Sequence, residues 1–393
     1  MKIGIILSQT PAYSETFFIS KIKGLQRNGV EVSLYCQVKK DDFKECPVIE
    51  SAKVTSNPFL QIWYFLKEAI LLLPHVPVII RYIKLERTQK SGFFQIFKKI
   101  YLNAHLLKAK VDWLHFGFAT QALGSETVAK AIGAKMAVSL RGFDINVYPL
   151  KHPKCYEKLW QHVDKVHSIS QYLLDKAIAT GLSAENPSAI ITPAVQFDAL
   201  LTERQITSET INITTIARLT WIKGLDTAIM AMCILKEKGI KFTYHIIGSG
   251  DKDYEERCKF MVYELGLEQH VRFWGKLSHQ KTLEHLSETD LYIQPSLNEG
   301  FCNAVLEAQA MGKLTIASNA GGLPENIVNG KTGWLFENNS PQSLAIKIEM
   351  VLAMNEEQKN TISQNAKKRI REEFNIEKQG LEFLNFYELE TSH

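Results

Sequence analysis

Short runs of branched and aromatic apolar residues, bounded by Gly, Pro, Asn or Asp, alternate along this chain with longer stretches whose apolar positions recur every three or four residues. The first pattern predicts strands buried on both faces and the second amphipathic helices. Their alternation predicts parallel sheets with helices on both sides. In the first half the predicted strands are residues 2–7, 31–36, 113–116, 136–140, 165–169 and 189–192. In the second half they are 211–217, 243–247, 271–274, 291–294, 314–317 and 333–336. The polar stretch 201–210 lacks apolar periodicity and reads as a linker. The expected fold is therefore α/β, with two Rossmann-like domains at 1–200 and from 201 onward, and the charged stretch 355–390 forms one or two terminal helices.

The length of 393 residues agrees with two cores rather than one. With 45% hydrophobic and 22% charged residues, the composition excludes a disordered or collagen-like chain. The net charge of +4 is too small to make nucleic acid the main partner. Its distribution says more, because residues 59–110 hold nine basic and two acidic residues, giving +7. That segment also carries Trp63, Phe65, Phe93, Phe94, Phe97 and Tyr101, the mixture expected of a surface that meets an anionic membrane. Its most apolar part, 59–83, is interrupted by Lys67, Glu68, Pro74, His75 and Pro77, and is expected not to span a bilayer, which needs about 20 mostly apolar residues. The six cysteines are scattered without the paired spacing of a zinc or redox motif, and the apolar run at 1–7 is too short for a signal-peptide core. A cytoplasmic protein is expected.

The most informative segment for chemistry is 294–312, which follows a buried strand. Residues 295–301 must be a strand-to-helix loop, with Asn303 as the expected N-cap and Gly312 just past the helix end. Such a loop lies outside the carboxyl end of a parallel strand, where open α/β sheets bind ligands. The amides of Gly300, Phe301, Cys302, Asn303, Ala304 and Val305 would then face an anion such as a pyrophosphate. Glu299 and Glu307 flank that position. Two carboxylates would repel a bare phosphate, so they read as acceptors for hydroxyls on either side of it, one set on a sugar and one on a ribose.

A second cluster is 216–224, where a strand ends and Arg218 and Lys223 enter the following loop. Two cations there can neutralise a leaving diphosphate without a metal. Gly248 and Gly250 form a tight turn after another strand, but Asp253 stands where a dinucleotide fingerprint needs its third glycine. Asp251 and Asp253 imitate a metal motif, yet they open a helical stretch and read as helix-capping acids. The Asn329 to Thr332 string lacks the earlier glycine of a P-loop. In the first half, Ser14, Glu15 and Thr16 precede a predicted helix, while His115, Arg141 and Asp144 sit at strand ends. All six are candidate acceptor-side cleft residues.

Taken together these residues resemble glycosyltransferase family four, the retaining GT-B enzymes. The Glu299-Gly-Phe to Glu307-Ala string carries the resemblance, joined by 317–325, 330–335, Arg218 with Lys223-Gly224, and Gly248-Ser-Gly250. Ser14 to Phe17 and Arg141 to Asp144 are similar to the branch that builds bacterial exopolysaccharide and lipopolysaccharide. The resemblance implies that Arg218 and Lys223 hold the donor diphosphate, that Glu299 contacts the donor sugar and Glu307 the ribose, and that the turn with Lys276 and Leu277 borders the base. It also implies that a helix at about 375–393 returns to the first domain, leaving 201–374 as the donor domain. Arg141 stands where many members carry His, and Cys302 where Gly or Pro is common. The expected activity is retaining transfer of a hexose or hexosamine from a nucleoside diphosphate sugar to a glycan, lipid-linked, with no metal or other cofactor. Epimerisation or hydrolysis of a nucleotide sugar, or its binding without catalysis, are the alternatives.

Overall fold

A computed structural model describes residues 1–11, 16–40, 43–195 and 210–388. The chain divides into two compact units, one formed by Met1–Thr192 with Glu377–His393 and the other by Pro193–Ile376. The linker expected at 201–210 lies, apart from Thr210, outside the described residues.

The first unit is built on a seven-stranded sheet: β1 (Lys2–Ile6), β2 (Glu31–Cys36), β3 (Val48–Glu50), β4 (Trp113–Phe116), β5 (Lys135–Leu140), β6 (Lys165–Ser168) and β7 (Ser188–Ile190), in the order β3-β2-β1-β4-β5-β6-β7. Every pairing is parallel. Ile3 and Ile5 are fully buried, as are all four residues of β4, which is why these strands read as continuous apolar runs. The edge strand β3 was missed. It is three residues long and only partly buried, so it has no apolar run to betray it. The terminal helix Ile376–Tyr387 supplies Phe383, Phe386 and Tyr387 to the same core as Ile3, Phe18 and Trp113, and the Trp113 indole donates to the Tyr387 carbonyl at 3.1 Å.

The second unit carries a six-stranded parallel sheet: β8 (Ile211–Ile216), β9 (Phe242–Ile247), β10 (Val271–Gly275), β11 (Leu291–Gln294), β12 (Leu314–Ser318) and β13 (Trp334–Phe336), in the order β10-β9-β8-β11-β12-β13. In both units the strand order reverses beside the first strand, at β1/β4 and at β8/β11. Crevices at such reversals are where open α/β sheets take ligands.

The first helix of this unit is α1 (Thr16–Arg27), and between β3 and β4 follow α2 (Pro58–Leu72), α3 (Val76–Thr88), α4 (Phe93–Leu102) and the short α5 (Ala104–Leu107). Asn57 caps α2 by accepting from the Phe59 and Leu60 amides at 3.0 and 3.2 Å. A single 3-10 turn, Leu73–His75, joins α2 to α3. The expectation that this segment is too interrupted to span a bilayer is corrected here. Helical structure runs unbroken over Pro58–Thr88, 31 residues with a mean hydropathy of 1.4 in its most apolar window and 6% of that window buried. By length and composition alone it is long and apolar enough to cross a membrane. Pro74 and Pro77 do not stop it, because each falls at the first or second position of a helical segment, where its missing N–H is not needed. The aromatic residues are mostly outside the core: Trp63 is 63% exposed, Phe93 72% and Phe94 86%.

Candidate functional site

The loop after β11 and the loop after β8 meet at the strand-order reversal of the second unit. Lys223 ends a short 3-10 turn, Trp221–Lys223, and Gly224 follows at φ +60°. A Cβ on Gly224 would lie 2.2 Å from the Pro295 carbonyl oxygen, so only glycine lets the two loops close. The closure places the Lys223 ammonium on the Glu299 carboxylate, with the two side chains only 15% and 11% exposed. Glu299 also accepts from Ser296 Oγ at 3.0 Å. Ser296 in turn accepts from Gln294 Nε2 at 2.8 Å, and Gln294 Oε1 accepts from the Tyr292 hydroxyl at 2.6 Å. A buried relay on β11 therefore fixes the rotamer of Glu299.

From the other side, Gly321 at φ +58° lets its backbone pass the Glu299 main chain, where a Cβ would stand 2.2 Å from the Glu299 carbonyl oxygen, and the Gly322 amide donates to that oxygen at 2.8 Å. Asn326 clamps the next turn, accepting from the Cys302 amide at 3.0 Å and donating to the Cys302 carbonyl at 3.1 Å. The helix Asn303–Ala310 starts there. Its N-cap is Cys302, without a side-chain capping bond, rather than the expected Asn303, which is the first helical residue. The Asn326 clamp sets that start, and it comes from more than twenty residues away in sequence. Gly300, Phe301, Cys302 and Val305 are buried, while Asn303 and Ala304 are half-exposed. Burial pushes the Cys302 thiol up to about 12, so it is neither thiolate nor nucleophile at neutral pH.

Glu307 lies one turn into this helix and is the partner of a residue the sequence reading did not nominate. His279 Nε2 sits 2.9 Å from Glu307 Oε1, and that hydrogen bond raises the imidazole above its ordinary value although burial works against it. His279 begins the helix capped by Ser278, directly after Lys276 and Leu277, so the turn expected to border the base is tied to the carboxylate expected at the ribose. Gly248 and Gly250 follow β9, where the Gly248 amide donates to the Gly275 carbonyl at 2.9 Å. Arg218 is exposed in the loop after β8. Asp251 caps a helix by accepting from the Asp253 and Tyr254 amides, and among the described residues no group of three or more metal-type side chains gathers.

The first-unit candidates fare differently. Ser14 and Glu15 lie outside the described residues, and Thr16 opens α1. His115 is fully buried in β4, within 3.2 Å of the buried Lys21 ammonium, 2.7 Å from Ser139 Oγ, and bonded to the Tyr387 hydroxyl. Burial and the Lys21 charge hold its imidazole far below the ordinary value. It is a core residue, not a cleft residue, because Lys21 of the helix Thr16–Arg27 and Tyr387 of the terminal helix pack directly against it. Asp144 is also buried. Its carboxylate accepts from the amides of Ala119, Arg141 and Gly142 at 3.1, 3.1 and 2.8 Å, and burial raises it above the ordinary carboxylate value. Asp144 therefore shapes the loop after β5 rather than facing a ligand. Arg141 lies in that loop, with its guanidinium 4.0 and 4.5 Å from the ring centres of Phe17 and Phe18.

Comparison with known proteins agrees with this geometry. A profile of the family described as "Glycosyl transferases group 1" matches residues 198–369. The amylovoran biosynthesis glycosyltransferase AmsK of Erwinia amylovora is 31% identical over 277 residues, 68% of this chain and 67% of that protein. The putative colanic acid biosynthesis glycosyltransferase WcaL of Escherichia coli K12 is 27% identical over 279 residues, 68% of each chain. Among solved structures, a glycosyltransferase from Rickettsia africae has a TM-score of 0.73 at 21% identity, covering 100% of this chain and 99% of that one. Anabaena HepE in complex with UDP and glucose has a TM-score of 0.72 at 18% identity, covering 98% of each. These likenesses establish the GT-B fold of two parallel-sheet α/β domains. With a relative this similar over two thirds of both chains, and a matching profile over the unit that pairs Lys223 with Glu299, the chain belongs to the group 1 glycosyltransferases.

Proposed function

We propose that this enzyme transfers a hexose or hexosamine from a nucleoside diphosphate sugar to a lipid-linked glycan, with retention of configuration and without a metal, in the assembly of a cell-surface polysaccharide. The proposed place of work is the cytoplasmic face of the membrane. The names of the relatives, which refer to amylovoran and colanic acid biosynthesis, support the pathway class, and the UDP in Anabaena HepE supports the donor class.

The observation that carries the reading is the Lys223–Glu299 pair at the carboxyl edge of the sheet, beside the start of the helix Asn303–Ala310. Lys223, Arg218 and the first amides of that helix supply positive field for a departing diphosphate. Glu307, hydrogen-bonded to His279, accepts from ribose hydroxyls in this reading. Glu299 is held by a cation and a serine hydroxyl, which makes it a poor nucleophile and a good acceptor for sugar hydroxyls. Retention then proceeds by attack from the leaving-group face. The bond from the anomeric carbon to the phosphate oxygen breaks as the bond to the acceptor oxygen forms, and the departing phosphate takes the acceptor's proton. Proton NMR of the first product from an α-linked donor tests this: an α linkage is expected, and a β linkage overturns the mechanism.

A further inference from the structure

The helix His279–Ser287 of the second unit opens on an imidazole, at the end where the helix dipole favours an acid. Ser278 caps it, its Oγ accepting from the Lys281 amide at 3.3 Å. Thr282, Leu283 and Leu286 are buried, and the His285 ring lies 4.2 Å, centre to centre, from the ring of Trp274 on β10. The helix is thus capped and seated by other residues, and His279 is not needed to start it.

His279 instead reaches the helix Asn303–Ala310, where its Nε2 donates to Glu307 Oε1 at 2.9 Å. A carboxylate only accepts, so Nε2 carries a proton whether the ring is neutral or charged. Glu307 Oε2 accepts no hydrogen bond among the described residues. One oxygen is therefore fixed and the other is left for a ligand, on a side chain 19% exposed. The bond to Glu307 raises the ring above its ordinary value against the pull of burial. Glu307 is the charged group that acts on it, while Lys276 and Lys281, exposed on its own turn and helix, do not shift it. Because the helix dipole disfavours a cation at this end, the carboxylate is what retains the proton.

We infer that His279 is a positioning residue for the nucleotide: it turns Glu307 so that the second oxygen meets the ribose diol, and its charge offsets that of the carboxylate beside the incoming diphosphate. The inference rests on the reading that Glu307 meets the ribose, and adds to it the residue that decides how well it does so. Discrimination between ribose and deoxyribose then depends on His279, and nucleotide binding is tightest when His279 is protonated. By linkage, binding takes up part of a proton at pH values around that of the folded ring.

Titration calorimetry of the full chain tests this with UDP, GDP or ADP, whichever binds the parent most tightly, against its 2′-deoxy and 3′-deoxy analogues. The parent should bind the ribonucleotide about tenfold more tightly than at least one analogue, the effect of losing a hydrogen bond to a charged group. His279→Ala should cut that preference to about twofold or less, while changing the affinity of the disfavoured analogue little. His279→Gln, whose amide still donates to Glu307, should restore the preference without the pH dependence. Raising the pH from 6.5 into alkaline buffer should weaken binding to the parent by about two- to fivefold relative to His279→Gln, the span of a half-exposed charge interaction. Ionisation of the nucleotide itself cancels in that ratio. An undiminished ribose preference in His279→Ala, or an equal loss for the ribo and deoxy forms, overturns the proposal and leaves His279 a structural residue. So does a ratio that stays constant with pH. Failure of the underlying reading looks different: Glu307→Ala then keeps the ribose preference, or the parent shows none.

Discussion

Lys223 and Glu299, far apart in sequence, form a shielded ion pair, so the cation proposed for the donor diphosphate and the carboxylate proposed for the donor sugar hold each other before either meets a ligand. A diphosphate bound at this site would compete with Glu299 for Lys223, so under the proposed function donor binding should repartition the lysine's hydrogen bonds.

That competition separates the two residues experimentally. Lys223→Ala should weaken UDP binding by about 1.5 to 3 kcal/mol, the range for a lost charge-assisted contact. Glu299→Gln removes the competing charge, so calorimetry should show UDP binding at least as tight as in the parent while sugar transfer falls by about a hundredfold, as when one transition-state contact is removed. Weaker UDP binding in Glu299→Gln would mean that Glu299 works only by holding Lys223 in place.

His279 and Glu307 predict a pH dependence. The folded imidazole is raised above its ordinary value of 6.5, so the pair adds stability that is complete below 6.5 and disappears as pH rises through the higher folded value. The His279 side chain is 49% exposed, and solvent keeps the effect small. Melting curves of the parent and His279→Gln should differ most below pH 6.5 and converge in alkaline buffer. A constant difference across that range would show that the imidazole acts by packing alone.

Transfer should survive excess chelator. Asp251 is engaged as a helix cap, so Asp251→Ala should lower stability by about 0.5 to 2 kcal/mol without altering the response to manganese. Activity lost in chelator and restored by manganese would overturn the metal-free mechanism.

Binding to anionic vesicles should be salt-sensitive and should weaken in Lys84→Glu with Lys98→Glu, both exposed on the α3–α4 surface. Lys99 is the wrong choice for that test. Its ammonium lies 2.8 Å from the carboxylate of Glu86, which is fully buried and also bonded by Ser91 and Thr127. Burial pushes Glu86 up, but these bonds outweigh it and hold the carboxyl below its ordinary value. Lys99→Ala should therefore destabilise the chain by about 3 to 5 kcal/mol, as expected when a buried charge loses its partner, so a flotation loss in that variant would report stability rather than lipid contact. Equal recovery of the parent on neutral and anionic vesicles would remove the electrostatic part of the surface.

The parallel sheets were legible in the sequence because strands buried on both faces must be apolar throughout, and the loop carrying Glu299 was legible because its glycines, acids and following helix stand close together in the chain. Edge strand β3, too short to bury a run, was not. Nor was the role of His279, since nothing local says that the start of one helix will reach a carboxylate 28 residues away. Strand-end position made His115 and Asp144 look like ligand residues, but whether a strand end meets solvent depends on what packs over it. For His115 that cover includes Tyr387, 272 residues further along the chain. Apolar and polar periodicity thus determined the elements and the chemistry concentrated in single loops. Only the tertiary structure decided which polar groups face each other and which are walled in, because those outcomes depend on packing between segments that share no local signal.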